Sequence, residues 1–274
     1  MRFLLPGALA LLIAVRVLPA AAANYEFPTD VLPAGQGDLA VGAGYFKLKR
    51  SLSISGVTVD EDFKVIDEAA TLRVGLGGDW HAGATFAYDS TNETCFSFSG
   101  SCFFTDTSGE RYQNLNVWLK HRFVDTEGFS LAAVAGAVPN TAGRSGAAYY
   151  GELDLGWTLT PATRVYAEYE PYFPDRSSAA NSHLVEFGAW FDGDSWIVQP
   201  SAFYRYLESH GSVSSESELG ATLALRGKVG ANTTLNPSLG YRWYGPVDSG
   251  TAHFNATDYG WSAGLSLYHV FGAP

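Results

Sequence analysis

The segment Ser217–Trp243 reads SELGATLALRGKVGANTTLNPSLGYRW. In its first half Leu219, Ala221, Leu223 and Leu225 alternate with Glu218, Gly220, Thr222, Ala224 and Arg226. In its second half Leu235, Leu239, Tyr241 and Trp243 alternate with Asn236, Ser238, Gly240 and Arg242. Val229-Gly-Ala-Asn232 lies between them and is turn material. A period of two puts successive side chains on opposite faces of a strand, so each half has one greasy face and one wet face. The segment therefore reads as a hairpin with lipid or core on one side and water or polar groups on the other.

The same pattern recurs along the chain. Twelve strands are predicted at 38–50, 64–76, 80–89, 111–123, 129–138, 148–159, 164–173, 183–191, 196–206, 217–228, 233–243 and 258–271. Their connections alternate in length. Gly77-Gly-Asp79, Val124–Gly128, Thr160–Thr163, Asp192–Ser195 and Val229–Asn232 are tight turns, whereas 51–63, 90–110, 139–147, 174–182, 207–216 and 244–257 are longer polar links. Sorted in this way, both chain ends fall on the short-turn side and the strand number is even. That is the plan of an up-and-down antiparallel barrel in an outer membrane, with short periplasmic turns and longer outer loops. The predicted fold is an all-β transmembrane barrel of about twelve strands over residues 37–274.

The two ends of the chain fit that plan. Residues 1–23 have the form of a secretory signal: Arg2, an apolar core from Phe3 to Val15, then Ala21 and Ala23 before Asn24. The alternative, an anchoring helix, is opposed by Arg16, which cuts the apolar run short of the ~20 residues a span needs. At the other end Tyr259, Trp261, Ala263, Leu265 and Leu267 alternate with polar or small residues, and the run closes on Phe271. This ending resembles the terminal strand of Gram-negative outer-membrane barrels. The resemblance implies recognition by the barrel-insertion machinery, although Gly272, Ala273 and Pro274 follow and His269 interrupts the apolar set. Residues 24–36 have no period and are expected to form a loose periplasmic tail, the alternative being that they tuck into the lumen.

Composition excludes some classes. The formal charge is −11, and loss of Arg2 and Arg16 with the signal makes it −13, which opposes nucleic-acid binding. Cys95 and Cys102 share one polar loop; in an exported chain they are expected to form a local disulfide, worth roughly 2–3 kcal/mol to that loop. Two thiolates do not complete a metal shell, and no metal or cofactor is expected. Trp80, Trp157 and Trp196 fall beside short turns, while Tyr88, Tyr204, Tyr206, Trp243, Tyr259 and Trp261 fall toward long loops. Two such rings are the expected interfacial girdles, in contact with outer-membrane lipid and lipopolysaccharide; ordinary surface aromatics are the plainer alternative. Pro171, Pro200 and Pro237 sit inside strands and predict interrupted ladders.

The wet face defines the candidate site. Glu152, Asp154, Glu168, Glu170 and Glu186 form an expected acidic wall. Arg73, Lys120, Arg205, Arg226 and Arg242 form an expected basic wall, with Arg122 and Lys228 on the same parity and Glu218 breaking the set. Trp118, Trp190 and Phe203 share that face and are either stacking platforms or filler. Opposed walls of charge suit a selective aqueous pore, but the same charges can pair and close a small lumen. The pattern resembles the small twelve-stranded porin-like channels of the outer membrane, such as those for acidic oligosaccharides or nucleosides. That resemblance implies passive passage of small polar solutes without a cofactor; the mixed lumen departs from a mostly basic one, so no particular solute is carried over. Two other classes stand beside it: a closed structural or assembly barrel linked to surface polysaccharide export, and a lipid hydrolase. For the hydrolase no catalytic residue is assigned. His210-Gly-Ser212 has the His-x-Ser spacing of the outer-membrane phospholipase but sits in a loop, and Ser182 and His183 are adjacent, so they point to opposite faces.

Overall fold

The computed structural model describes residues 27–54, 57–98, 101–107, 111–113, 115–141, 146–175, 180–193, 196–209, 214–230, 232–249, 252–254 and 259–272. The expected signal at 1–23 and the His210–Ser212 pair lie outside the described residues. Among those described, twelve strands build the wall: β1 (Gly37–Ile54), β2 (Val57–Gly77), β3 (Trp80–Phe98), β4 (Asn116–Asp125), β5 (Phe129–Val138) and β6 (Ala148–Thr160), followed by β7 (Thr163–Pro174), β8 (Ser182–Asp192), β9 (Trp196–Leu207), β10 (Glu216–Gly230), β11 (Thr233–Tyr244) and β12 (Tyr259–Phe271). Each pairs antiparallel with its sequence neighbour, and β1 pairs with both β2 and β12. The sheet is thereby a closed meander with no free edge in the membrane, as an apolar medium demands of every backbone donor and acceptor.

The outward face is apolar. Leu39, Leu72, Leu76, Phe86, Phe187, Leu219, Leu223 and Leu239 are all exposed on it. Trp80, Trp157 and Trp196 stand at the short-turn ends, and Tyr204, Tyr206, Trp243 and Trp261 toward the outer loops. The first short turn needs left-handed backbone at Gly77, Gly78 and Asp79, with φ of 85°, 59° and 62°, which explains the two glycines.

Four features depart from the sequence reading. The segments 51–63 and 90–110, expected as loops, carry strand: β1 and β2 stay paired from Gly37–Val74 to Ile54–Val57, and β3 continues to Phe98 and pairs with a short strand, Ser101–Thr107. These extensions lie beyond the apolar band, where neither face needs lipid and the alternation is diluted by Asp60, Asp62 and Ser97. The fourth wall strand begins at Asn116 instead of 111; Arg111–Tyr112 is a separate two-residue strand against Tyr88 and Asp89. A further pair, Val247–Ser249 and Ala252–Phe254, adds to the outer end of β1.

The fourth departure is the N-terminal segment. Expected as part of a loose tail, residues 27–32 are packed inside the barrel, with Phe27, Thr29 and Leu32 all buried, while Pro33, Ala34 and Gly35 are exposed. The prolines behave as the missing N–H predicts. Pairing of β6 with β7 passes from Tyr150–Tyr172 to Leu153–Tyr169, skipping Pro171. That of β8 with β9 passes from Gly188–Ser201 to Phe191–Val198, skipping Pro200. That of β10 with β11 passes from Ala224–Ser238 to Gly227–Leu235, skipping Pro237.

Candidate functional site: the lumen

Register decides which side chains share a rung of the inner face. Asp154 of β6 pairs with Glu168 of β7, and Glu168 with Glu186 of β8, so three carboxylates stand side by side. Glu152 is two residues from Asp154 on the same face, and oxygens of Glu152, Asp154 and Glu168 lie within 4.8 Å of one another. Glu170 is one inward step above Glu168 on β7. The Lys120 ammonium of β4 reaches this group, 2.5 Å from Asp154 Oδ2, and also donates to the Pro28 carbonyl. A lysine already seated there supplies the positive charge that crowded carboxylates require.

On the adjoining wall, Arg205 of β9 and Arg242 of β11 share Glu218 of β10: Arg205 Nη1 donates to Oε2 at 3.1 Å and Arg242 Nη1 to Oε1 at 2.9 Å. Arg242 also lies over Phe46 and Phe203 at 5.2 and 5.5 Å. Arg226 Nη2 donates to Gln199 Oε1 at 2.6 Å, Gln199 Nε2 to the Tyr166 hydroxyl at 2.9 Å, and that hydroxyl to Glu186 Oε1 at 2.8 Å. This chain of hydrogen bonds joins a basic strand to the acidic rung. Arg73 stands apart on β2, held to Asp38 by Nε at 2.9 Å and Nη2 at 2.7 Å. Tyr268 adds a third bond to Asp38.

The predicted site residues are thus all on the inner face, but they form local groups. Arg73 and Lys120 do not join Arg205, Arg226 and Arg242; each has its own acid. The two tryptophans differ. Trp190 is buried, with Arg226 at 4.2 Å and Arg164 at 5.1 Å from its ring and Phe27 edge-on at 6.1 Å, so its faces are taken by guanidinium groups. Trp118 is half-buried, lies against Gly83 and meets His81 edge-on at 5.2 Å.

Residues 27–32 complete the interior at the short-turn end. Phe27 sits against Tyr166, Trp190 and Arg164. Thr29 Oγ1 lies 2.5 Å from Ser130 Oγ, and Asp30 pairs with Arg164 at 3.3 Å. The Leu32 amide donates to His81, and Gly75 faces the Leu32 and Pro33 carbonyls so closely that a Cβ there would be 1.9 Å from Pro33 O. The segment therefore follows the inner wall from β8 round to β2. Sequence reasoning missed Asp38, Gln199, Tyr166 and His81. Strand parity places each of them inward, but their role is to satisfy a neighbour that only the register identifies.

Away from the lumen, Cys95 and Cys102 are disulfide-bonded in the β3 extension, with Cα atoms 5.9 Å apart. His183, weighed above for hydrolysis, uses Nδ1 for the Tyr169 hydroxyl at 2.9 Å and Nε2 for Glu208 at 3.1 Å. Neither bond goes to a serine.

No protein-family model matches the sequence, and no curated protein sequence does either. Solved structures share the fold. An outer-membrane channel from Pseudomonas putida F1 is similar at 13% identity and a TM-score of 0.61, covering 90% of this chain and 100% of that one. A FadL homologue from Pseudomonas aeruginosa is similar at 9% identity and a TM-score of 0.50, covering 91% of this chain and 96% of that one. The likeness is one of fold: these solved outer-membrane barrels share the closed antiparallel architecture described above.

Proposed function

We propose that this protein is a passive channel for small polar solutes in the outer membrane of a Gram-negative cell, selecting them by charge in the lumen. One observation carries the reading: Asp154, Glu168 and Glu186 on β6–β8 adjoin Arg205, Arg226 and Arg242 on β9–β11 inside a wall whose outer face is apolar. Low-dielectric surroundings strengthen the field between such groups, and rows of charge are how pores discriminate among solutes. The likeness to an outer-membrane channel supports this reading at the level of fold. The signal at 1–23 would bring the chain to the insertion machinery, which would read the Trp261–Phe271 strand. The aromatic rings would rest against lipid and lipopolysaccharide.

Purified protein in planar bilayers is expected to give discrete conductance steps, and Glu168→Gln and Arg226→Gln to shift ion selectivity in opposite directions. An absence of steps would remove the channel reading. A second reading is a closed barrel acting as an anchor or assembly part. It is supported by the N-terminal segment inside the lumen and by the local pairing of its charges, and the same recording decides between the two.

A further inference from the structure

Two fillings occupy the lumen, and they are offset. At the outer end the side formed by β10–β12, β1 and β2 is closed. Phe46, Val65 and Tyr244 are buried there, with Leu48 and Phe63 packed against them. Arg50 crosses the Tyr244 ring at 4.8 Å to reach Glu216 at 2.6 Å. At the short-turn end the opposite side, β2 to β8, is closed by residues 27–32. Elsewhere at the short-turn end Asp38, Ala40 and Tyr268 on β1 and β12 and Gln199 and Arg226 on β9 and β10 are also buried, which leaves a strip along β10 and β11.

Between these buried groups two sets of inward side chains stay partly exposed. Trp118, Val134, Tyr150, Glu152, Glu170 and Tyr172, at the outer ends of β4–β7, keep part of their surface in water. So do Ser201, Thr222, Asn236 and Ser238 on β9–β11. Under the fillings, Ala69, Thr71 and Ala132 are all nearly inaccessible. The open outer region is aromatic and acidic. The region that continues it toward the short turns is small and mostly hydroxyl- or amide-bearing.

We propose that the permeation path is a diagonal: solute enters beside β4–β7 and leaves along the Thr222–Asn236–Ser238 face of β9–β11. It passes between the Glu168–Glu186 rung and the Arg205–Arg242 pair on the way. Such a path exposes a solute first to ring faces and carboxylates, then to guanidinium groups, and finally to neutral hydrogen-bonding groups. It fits a compact solute carrying both a cationic group and several hydroxyl or amide groups, because each stretch offers the complement of one of these. This rests on the channel reading above.

Single cysteines test the route, since the native pair is disulfide-bonded and does not compete for reagent. Thr222→Cys, Ser238→Cys and Tyr172→Cys are expected to react with a charged methanethiosulfonate in folded protein. Ala69→Cys and Ala132→Cys are expected to stay unmodified. Modification at Thr222 or Ser238 is expected to reduce single-channel current by about half or more, because it adds a charged group to a narrow pore. Folding of each variant is checked by its heat-modifiable gel mobility. Current in the unmodified protein together with equal reaction at all five positions overturns the diagonal and leaves the channel reading standing. The expected labelling pattern with no current overturns the channel reading instead and leaves the water-filled path.

Discussion

The backbone amide of Leu32 donates to Nδ1 of His81 at 3.1 Å, and both residues are buried. An amide N–H only donates, so Nδ1 must be bare and the ring proton must sit on Nε2. A neutral imidazole of one tautomer thus holds the middle of the N-terminal segment to β3. His81→Phe keeps the bulk and removes the acceptor. It is expected to weaken docking of the segment by about 1–3 kcal/mol, the cost of leaving a buried donor unmade. Faster deuterium uptake at the Val31 and Leu32 amides, read by mass spectrometry, checks it; unchanged uptake would remove His81 as the holding group.

Gly75 makes the same contact from the other side. A Cβ there would come within 1.9 Å of Pro33 O and 2.6 Å of Leu32 O, both backbone atoms that cannot swing away. Gly75→Ala is expected to push residues 32–33 off the wall, raising both their protease sensitivity and the conductance. Gly128→Ala is the control, since nothing lies within 4 Å of a Cβ at that turn. Equal behaviour of the two variants would show that the segment has room to spare.

Glu218 is the shared partner of Arg205 and Arg242, and all three are buried. Glu218→Gln leaves two guanidinium groups without their anion. A loss of about 3–5 kcal/mol is expected, as for other broken buried pairs. Arg50 and Glu216 are each about one-fifth exposed, and Arg50→Gln is expected to cost less, about 1 kcal/mol. Denaturant midpoints in detergent compare the two; a larger effect at Arg50 would contradict this ranking.

Hydrogen bonds from His183 and Asn181 hold the Glu208 carboxyl below its ordinary range, at the outer rim beyond β9. A carboxylate with a lowered pKa stabilises the fold above its unfolded value, and that contribution disappears as pH falls through the folded one. Acidification through the carboxylate range is therefore expected to loosen the outer ends of β8 and β9. Glu208→Gln is expected to abolish this pH dependence. Amide exchange at residues 181–184, measured at pH 6 and at about pH 3, reads the difference.

The Cys95–Cys102 bridge ties β3 to the Ser101–Thr107 strand, outside the barrel wall. Reduction is expected to cost that hairpin about 2–3 kcal/mol in the chain-entropy view. Protease cleavage within 93–107 should appear on reduction while the denaturant midpoint of the barrel stays put. A fall in that midpoint would mean that the hairpin supports the wall.

The membrane part of this fold was legible because lipid imposes a strict rule. Leu219, Leu223 and Leu239 face hydrocarbon, so every second residue had to be apolar, whatever side chains fill the lumen. The rule lapses beyond the bilayer. That is why β1 was expected to stop at 50 and runs on to Ile54, and why β3 reaches Phe98 through residues that read as loop. Inward placement of Glu168, Arg226 and Trp190 also followed from parity. Their partners did not. Arg73 meets Asp38 because β1 pairs with β2 at one particular offset, and Arg242 meets Glu218 for a similar reason. The seating of Phe27–Gln36 had no periodic signal at all. It depends on small residues such as Gly75 and Gly156, whose missing side chains leave room for it.

The three prolines have a mechanical consequence. Pro171, Pro200 and Pro237 each leave a gap in a different seam, β6–β7, β8–β9 and β10–β11. These seams alternate around one part of the circumference, and each lies within a hairpin joined by a short turn. That arc is therefore more elastic than its neighbours: it can breathe at three staggered points while the bonds between successive hairpins keep the cylinder shut.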